Sequence, residues 1–488
     1  MKRKAMLAVD MGASNGRVVW GQWHESGLEC REIHRFDNVP IQRNGLMCWD
    51  MPRLMDEIAQ GIAKCDRAFD TLGLCSWGNT IGLLDEERSL IRAPIHYREP
   101  KTDEGLPALY AALSREEMFR QTLYIPMTIQ PAVVLSYLKQ AQPDVLKKTK
   151  SVLMISDLMN ELMTGKAVSE RTMAATSGMV DMRTGAWSRT YMEKAGVDPA
   201  WFPDLVSSQT ILGPLKDAFY NKEGKKPLVV AVAGHDTASA SGLVDMSRKE
   251  DSLYLSCGTW SCMGCGVEKP SEDERILALG ATNDLGPDGE NQLRFNHTGL
   301  WILQECRREW IRQGHAFTHA ELAQMACNCE SVNAVIDTED ELFFRSERMP
   351  QKVMQYLEMT GQPVVKEPGE IVRVILESLA LRYRYSVDVL SELTGIRFSS
   401  MRVFGGGSKN SLLCQLMADT TGLTVHAGPA EASTIGNFIQ QGLAQGVFTD
   451  RKQALKLIET HETTTYQPAA DCEEKYRRAL EICKWKTL

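Results

Sequence analysis

The segment Leu7-Ala-Val-Asp-Met-Gly12-Ala-Ser-Asn-Gly16-Arg-Val-Val-Trp20 reads as an apolar strand, a tight turn of small residues and a second strand. About half of the 488-residue chain further on, Leu253-Tyr-Leu-Ser-Cys-Gly258-Thr-Trp-Ser-Cys-Met263 repeats that plan. Two such hairpins at this spacing imply a structural duplication in which each half opens with the same unit and the two turns face one cleft. The charged stretch Asp245 to Asp251, just before the second copy, offers little to bury, which places the hinge there and divides the chain into lobes of residues 1–245 and 246–488.

Along the chain, the β-branched runs Leu72 to Ser76, Leu228 to Ala233 and Met401 to Phe404 each lead into stretches of helical period, so the class is α/β. A chain with 43% hydrophobic and 24% charged residues can bury large cores, which excludes disordered and fibrous classes. Its net charge of −8 repels a phosphate backbone and argues against nucleic acid as a partner. The 13 cysteines are odd in number and scattered, the usage of a reducing cytoplasm rather than of a secreted disulfide framework. The apolar run Ala5 to Val9 is too short for a signal-peptide core, and no run approaches the ~20 residues of a membrane span.

The usual nucleotide fingerprints, G-x-x-x-x-G-K-[ST] and a strand-borne G-x-G-x-x-G, are absent, so phosphates need another cradle. A turn of Gly, Ala and Ser exposes successive backbone N–H groups with no bulky side chain in the way, a concave surface suited to phosphate oxygens. Gly12, Ala13, Ser14, Asn15 and Gly16 form one such turn, with Arg17 adding charge, and Gly258-Thr259 forms its partner. Asp10, at the strand end before the first turn, is placed to hold Mg²⁺ through water, since that ion keeps most of its hydration shell. A third cluster, Gly405-Gly406-Gly407, lies between the strand ending at Phe404 and a helical run from Leu412 to Thr420, where a bare backbone admits an adenine or ribose.

Gly234-His235-Asp236-Thr237-Ala238 follows an apolar strand and opens a helix, which stands Asp236 at the mouth of a sheet. Asp236 or Thr237 fits an N-cap there, and a cap does not prevent the carboxylate from taking a proton from an acceptor hydroxyl during in-line phosphoryl transfer. Cys262-x-x-Cys265 has metal-ligand spacing, but no second such pair accompanies it, and alternation along a strand sends these thiols into packing.

These residues resemble the FGGY family of carbohydrate kinases. The resemblance rests on Asp10 to Arg17, Asn44-Gly45 to Trp49-Asp50, Ser76-Trp77-Gly78, His235 to Ala240, Gly258-Thr259-Trp260, and Gly405 to Gly407 with Gln415 and Ala418-Asp419. It runs over nearly the whole chain and is strongest toward the rhamnulokinase branch. It implies a two-lobed, actin-like and ribonuclease-H-like fold closing over a ketose, with ATP and Mg²⁺, in a monomer or homodimer. It further implies that Asp236 is the general base and that Gly78, His235, Thr237 and Asn296 meet the sugar. Ala13 to Arg17, Gly258, Thr259, Gln304, Gly405 and Gly406 would meet ATP.

Departures fall on the sugar side. Rhamnulokinases typically read Asp-Thr-Trp-Gly-Val-Asp-Phe where this chain has Cys75-Ser-Trp-Gly-Asn-Thr-Ile81, and Tyr-Arg-Asp where it has Tyr97-Arg98-Glu99. A lost carboxylate that held sugar hydroxyls would alter which sugar fits. L-Rhamnulose, phosphorylated to L-rhamnulose 1-phosphate, is the first expectation for the substrate. The open alternatives are L-fuculose, L-xylulose or another pentulose, and a regulator that kept the fold and lost turnover.

Overall fold

The strand β1 (Ala5–Met11) is buried along its whole length, as a central strand covered on both faces must be. The computed structural model describes residues 4–220, 224–458 and 463–486. In its first half β1 pairs antiparallel with β2 (Asn15–His24), which pairs antiparallel with β3 (Gly27–Asp37). On its other side β1 runs parallel to β4 (Thr71–Ser76). Strands β5 (Thr210–Pro214) and β6 (Leu228–Ala231) complete a six-stranded sheet in the order β5-β6-β4-β1-β2-β3.

The second half repeats this wiring. Strands β7 (Tyr254–Cys257) and β8 (Trp260–Val267) form the second hairpin. With β9 (Ala281–Leu285), β10 (Asn291–Thr298), β11 (Ser400–Phe404), β12 (Thr424–Ala427) and β13 (Thr464–Tyr466) they make a seven-stranded sheet ordered β9-β10-β8-β7-β11-β12-β13. As in the first half, the leading hairpin strand runs parallel to a later strand, β11, which runs parallel to another, β12.

Helices position these sheets. Helix α1 (Met51–Lys64) lies on β2, where a side chain at Gly61 would collide with Val18. Helix α2 (Ile155–Thr164) packs beneath the first sheet, and α3 (Asp236–Ser241) starts beyond the end of β6. Helices α4 (Trp301–Arg312), α5 (Pro368–Thr394) and α6 (Ser411–Thr421) belong to the second half. The last of these brings the glycine cluster onto a strand-to-helix crossing, as its sequence implied.

Helix α7 (Ala432–Ala444) comes from the second half and fastens onto the sheet of the first. Asn437 Nδ2 donates to the Gly73 carbonyl at 3.0 Å and Gln441 Nε2 to that of Leu7 at 3.1 Å. Phe438 is fully buried against Gly21, where an added Cβ would lie 2.6 Å from its ring. Buried amides with fixed partners set the rotation of α7 more sharply than apolar packing alone. The segment Asp245 to Asp251 is partly exposed and ends in a short 3-10 turn, Lys249–Asp251.

Candidate active site

A cavity of about 280 Å³ opens where the two leading hairpins meet. Gly12, Ala13, Ser14 and Asn15 line it from the first turn, Gly258, Thr259 and Trp260 from the second, and Gly405 from the glycine cluster. The turns are alike: the Gly12 amide donates to the Asn15 carbonyl at 2.8 Å, and the Gly258 amide to the Trp260 carbonyl at 2.8 Å. Among the described residues no protein acceptor takes the amides of Ala13, Ser14 or Thr259, so these donors remain for a ligand. Gly405 has φ +76°, and a Cβ there would lie 2.7 Å from the Cys257 carbonyl oxygen, so a side chain is excluded on both counts. A Cβ at Gly406 would meet nothing within 4 Å, leaving a bare outer face.

Asp236 lines the same cavity. His235 is the N-cap residue of α3 and makes no side-chain cap bond, so Asp236 is the first helical residue and neither it nor Thr237 serves as the cap. The Asp236 side chain is 32% exposed, into the cavity, while surrounding protein displaces its water. That burial, reinforced by the charge of Asp10, pushes its carboxyl up to about 7. His235 and Thr237 flank it: Thr237 Oγ1 donates to Asp236 Oδ1 at 3.2 Å, and burial followed by the Arg294 charge holds His235 neutral.

Asp10 lies behind the cavity wall, 5% exposed. Its Oδ2 accepts Arg17 Nη2 at 2.6 Å, Arg17 Nε at 3.1 Å, Ser433 Oγ at 2.6 Å and Thr434 Oγ1 at 2.7 Å. Burial pushes this carboxyl up, but Arg17 and the two hydroxyls outweigh it and hold it below the usual range. Arg17 was expected to lend its charge to the first turn. Instead Asp10 and Glu431 hold it, because it sits opposite Asp10 in the β1–β2 ladder. Gly16 also falls within β2, where its lack of a side chain makes room for the Phe36 ring.

Residues 5–242 match the N-terminal domain, and residues 253–445 the C-terminal domain, of the FGGY family of carbohydrate kinases. The chain belongs to that family. It is 35% identical over 455 residues to a rhamnulokinase of Oceanobacillus iheyensis, covering 93% of this chain and 96% of that one. It is 34% identical over 460 residues to a rhamnulokinase of Bacteroides thetaiotaomicron, covering 93% and 94%. Its fold is similar to that of gluconate kinase from Lactobacillus acidophilus, with TM-score 0.77 and 15% identity over 99% of this chain and 97% of that one. Plasmodium falciparum glycerol kinase with ADP is also similar, with TM-score 0.76 and 15% identity over 98% and 97%. The chain is therefore a sugar kinase that uses ATP and Mg²⁺.

In this kinase Gly78 and Asn296 line the cavity with Asp236. Gln304 does not reach it; its Oε1 accepts the Thr259 hydroxyl at 3.1 Å, bracing the second turn from behind. Cys262 faces the cavity and donates to Asn296 Oδ1 at 3.3 Å, whereas Cys265, three residues along β8, points to the opposite face.

The two changed positions, Cys75 and Thr80, are not on the cavity surface. Cys75 is buried beside Asp10, its Sγ 3.7 Å from Oδ1, and Thr80 Oγ1 accepts the Trp77 indole at 3.0 Å. Glu99 is also spent on backbone, taking the amides of Met47 at 2.6 Å and Lys101 at 3.0 Å. None of the three departures therefore changes a group that lines the cavity.

Tyr124, Thr176 and Arg294 escaped the sequence reading. All three line the cavity, and Arg294 is held by Asp284 at 2.6 Å and by the Tyr124 hydroxyl at 3.3 Å. The alternation of β10 places Arg294 and Asn296 on one face, a signal that a period-2 reading from Asn296 would have carried. Tyr124 and Thr176 carry no comparable signal, since they reach the site from loops.

Proposed function

We propose that this kinase transfers the γ-phosphoryl group of ATP to the terminal hydroxyl of L-rhamnulose, giving L-rhamnulose 1-phosphate, with Asp236 as the base. The observation that carries the reading is Asp236 opening, with a carboxyl near 7, onto the cavity that the two turns and Gly405 also line. At neutral pH such a carboxyl is partly ionised and can accept the hydroxyl proton as the new P–O bond forms. His235, Thr237, Gly78 and Asn296 are assigned to the sugar. The free amides of Ala13, Ser14 and Thr259 are assigned to phosphate oxygens, and the open face at Gly405-Gly406 to adenosine. Arg17 and Gln304 support the two turns from behind.

The carboxylates present fit a hydrated magnesium ion. Asp10 Oδ2 is taken by three side chains, so direct coordination there would displace them, whereas contact through water would not. Its negative charge also bears on Asp236, and a cation would relieve that repulsion. Held there with ATP, magnesium would supply neutralising charge to the phosphates. Asp10 would hold that ion through water, Asp236 holds the acceptor hydroxyl, and lobe closure keeps competing water out.

The choice of L-rhamnulose is supported by the rhamnulokinase relatives and by the apolar side chains of Met127 and Ile129 in the cavity wall, which suit the methyl end of a deoxysugar. All the assigned groups come from one chain, so a monomer or a homodimer serves equally. Among the described residues no helix is long and apolar enough to cross a membrane.

Incubating the enzyme with ATP, Mg²⁺ and a panel of L-rhamnulose, L-fuculose and L-xylulose tests the reading by ADP release and sugar phosphate formed. L-Rhamnulose should give the highest kcat/KM. Turnover of another ketose in its place overturns the substrate, and sugar binding without any turnover establishes the regulator instead.

A further inference from the structure

Glu170 is a buried carboxylate, 1% exposed, that the proposed chemistry does not use. It ends the two-residue strand Ser169–Glu170 and caps the short helix Arg171–Ala175. Its Oε2 accepts the Thr172 hydroxyl at 2.6 Å, the Gly234 amide at 2.9 Å and the Met173 amide at 3.1 Å, and its Oε1 accepts the Ser208 hydroxyl at 2.9 Å. Thr172 Oγ1 in turn accepts the His235 amide at 3.4 Å.

The two amides just before Asp236 are thus held by side chains and not by a strand ladder. From the other side, the Gly234 carbonyl accepts the Ser76 amide at 2.8 Å, so this backbone is gripped on both flanks. Gly234 permits the approach, since a Cβ there would lie 2.7 Å from Ser156 Oγ and 3.3 Å from Glu170 Oε2. Asp157 fixes the anchor itself, its Oδ1 accepting the Glu170 amide at 3.2 Å. Capping of Arg171–Ala175 needs only the Met173 bond; the bonds to Gly234 and, through Thr172, to His235 serve a different segment.

We propose that Glu170 is a positioning residue for phosphoryl transfer, fixing residues 234–236 directly and through Thr172 so that the Asp236 carboxylate meets the acceptor hydroxyl. The proposal rests on the reading of Asp236 as the base. Four donors reach the two Glu170 oxygens, which makes it an acceptor at both, although burial outweighs them and raises its carboxyl. An amide in its place keeps one oxygen for Gly234 and Thr172 and presents NH₂ to the Ser208 hydroxyl oxygen, so it preserves most of the arrangement.

Steady-state kinetics on Glu170→Ala, Glu170→Gln, Thr172→Val and Asp236→Asn, with melting curves for each, test this. Glu170→Ala should lose about 100-fold in kcat, the scale of an ~1 Å displacement of a catalytic group, with KM for ATP unchanged. Glu170→Gln should restore kcat to within about 3-fold of wild type, and Thr172→Val should lose about 10-fold, as one of two restraints is removed. Wild-type kcat in folded Glu170→Ala, failure of Glu170→Gln to rescue, or a parallel rise in KM for ATP overturns the proposal. Should Glu170→Ala fail to fold, wild-type kcat in folded Thr172→Val overturns it equally. An active Asp236→Asn overturns the base reading; an inactive one beside a fully active Glu170→Ala overturns the positioning role alone.

Discussion

The charge of Asp10, held in place by Arg17 and two hydroxyls, adds to burial in pushing the Asp236 carboxyl up to about 7. The proposed base is therefore only partly ionised at neutrality, and kcat/KM for the sugar should rise from pH 6 and level off above pH 8, with an inflection near 7. Asp10→Asn removes the second cause and leaves the first, so the inflection in the same pH series should move down. An inflection that stays put would show that Asp10 does not act on Asp236.

Asp236→Asn should lower kcat by about 10²–10⁴-fold, the usual weight of a general base, while ATP affinity stays nearly constant by calorimetric titration. It should also change stability with a defined sign. A carboxyl that titrates at about 7 when folded and at 3.8 in an unstructured chain binds its proton more tightly in the folded state. Stability therefore falls as pH rises between those values, and the penalty is fully present above pH 7. The variant removes that penalty, so its melting temperature should equal the wild type's near pH 4 and exceed it at pH 8.

Gly405→Ala forces a side chain into a left-handed conformation and against the Cys257 carbonyl. The local cost is about 1–3 kcal/mol, and it falls on the loop assigned to adenosine. KM for ATP should rise at least several-fold in initial-rate measurements while KM for sugar holds.

Arg98 reaches from the first half into the second, its guanidinium 4.7 Å from the Trp260 ring centroid and 4.9 Å from that of Trp301. Each cation–π contact is worth about 0.5–1 kcal/mol at a partly exposed site. Arg98→Ala should therefore weaken the closed state by about 1–2 kcal/mol, seen as a raised KM for sugar and faster sugar-independent ATP hydrolysis. A variant with unchanged sugar KM would show that the Arg98 contacts to Trp260 and Trp301 do not contribute to closure.

Cys75→Ser should leave the order of preference among ketoses unchanged, because the thiol is buried against Asp10 and does not face the cavity. A changed order in the ketose panel would mean that Cys75 shapes the sugar wall through Asp10.

The two hairpins, the glycine cluster and the strand-to-helix placement of Asp236 were all readable in the sequence because each is local. A few consecutive residues fix an alternation, a turn or a helix start, and the repeat at half-length exposes the duplication. Departures at Cys75 and Thr80 were readable too, but their location was not, since sequence gives the residue type and not the face it occupies. Arg17 illustrates the same limit. Its charge is visible in the sequence, while the groups that claim it, Asp10 across a ladder and Glu431 from the other half, depend on how distant segments pack.

What tertiary structure alone decided is which side chains share the cavity. Ser433 and Thr434 reach Asp10 because α7 crosses to the opposite sheet, and Glu170 reaches Gly234 through a contact between separate elements. Such bonds join residues tens to hundreds of positions apart and impose no period on the chain. They set the environment of Asp236, because burial and neighbouring charge act through space and not along the backbone.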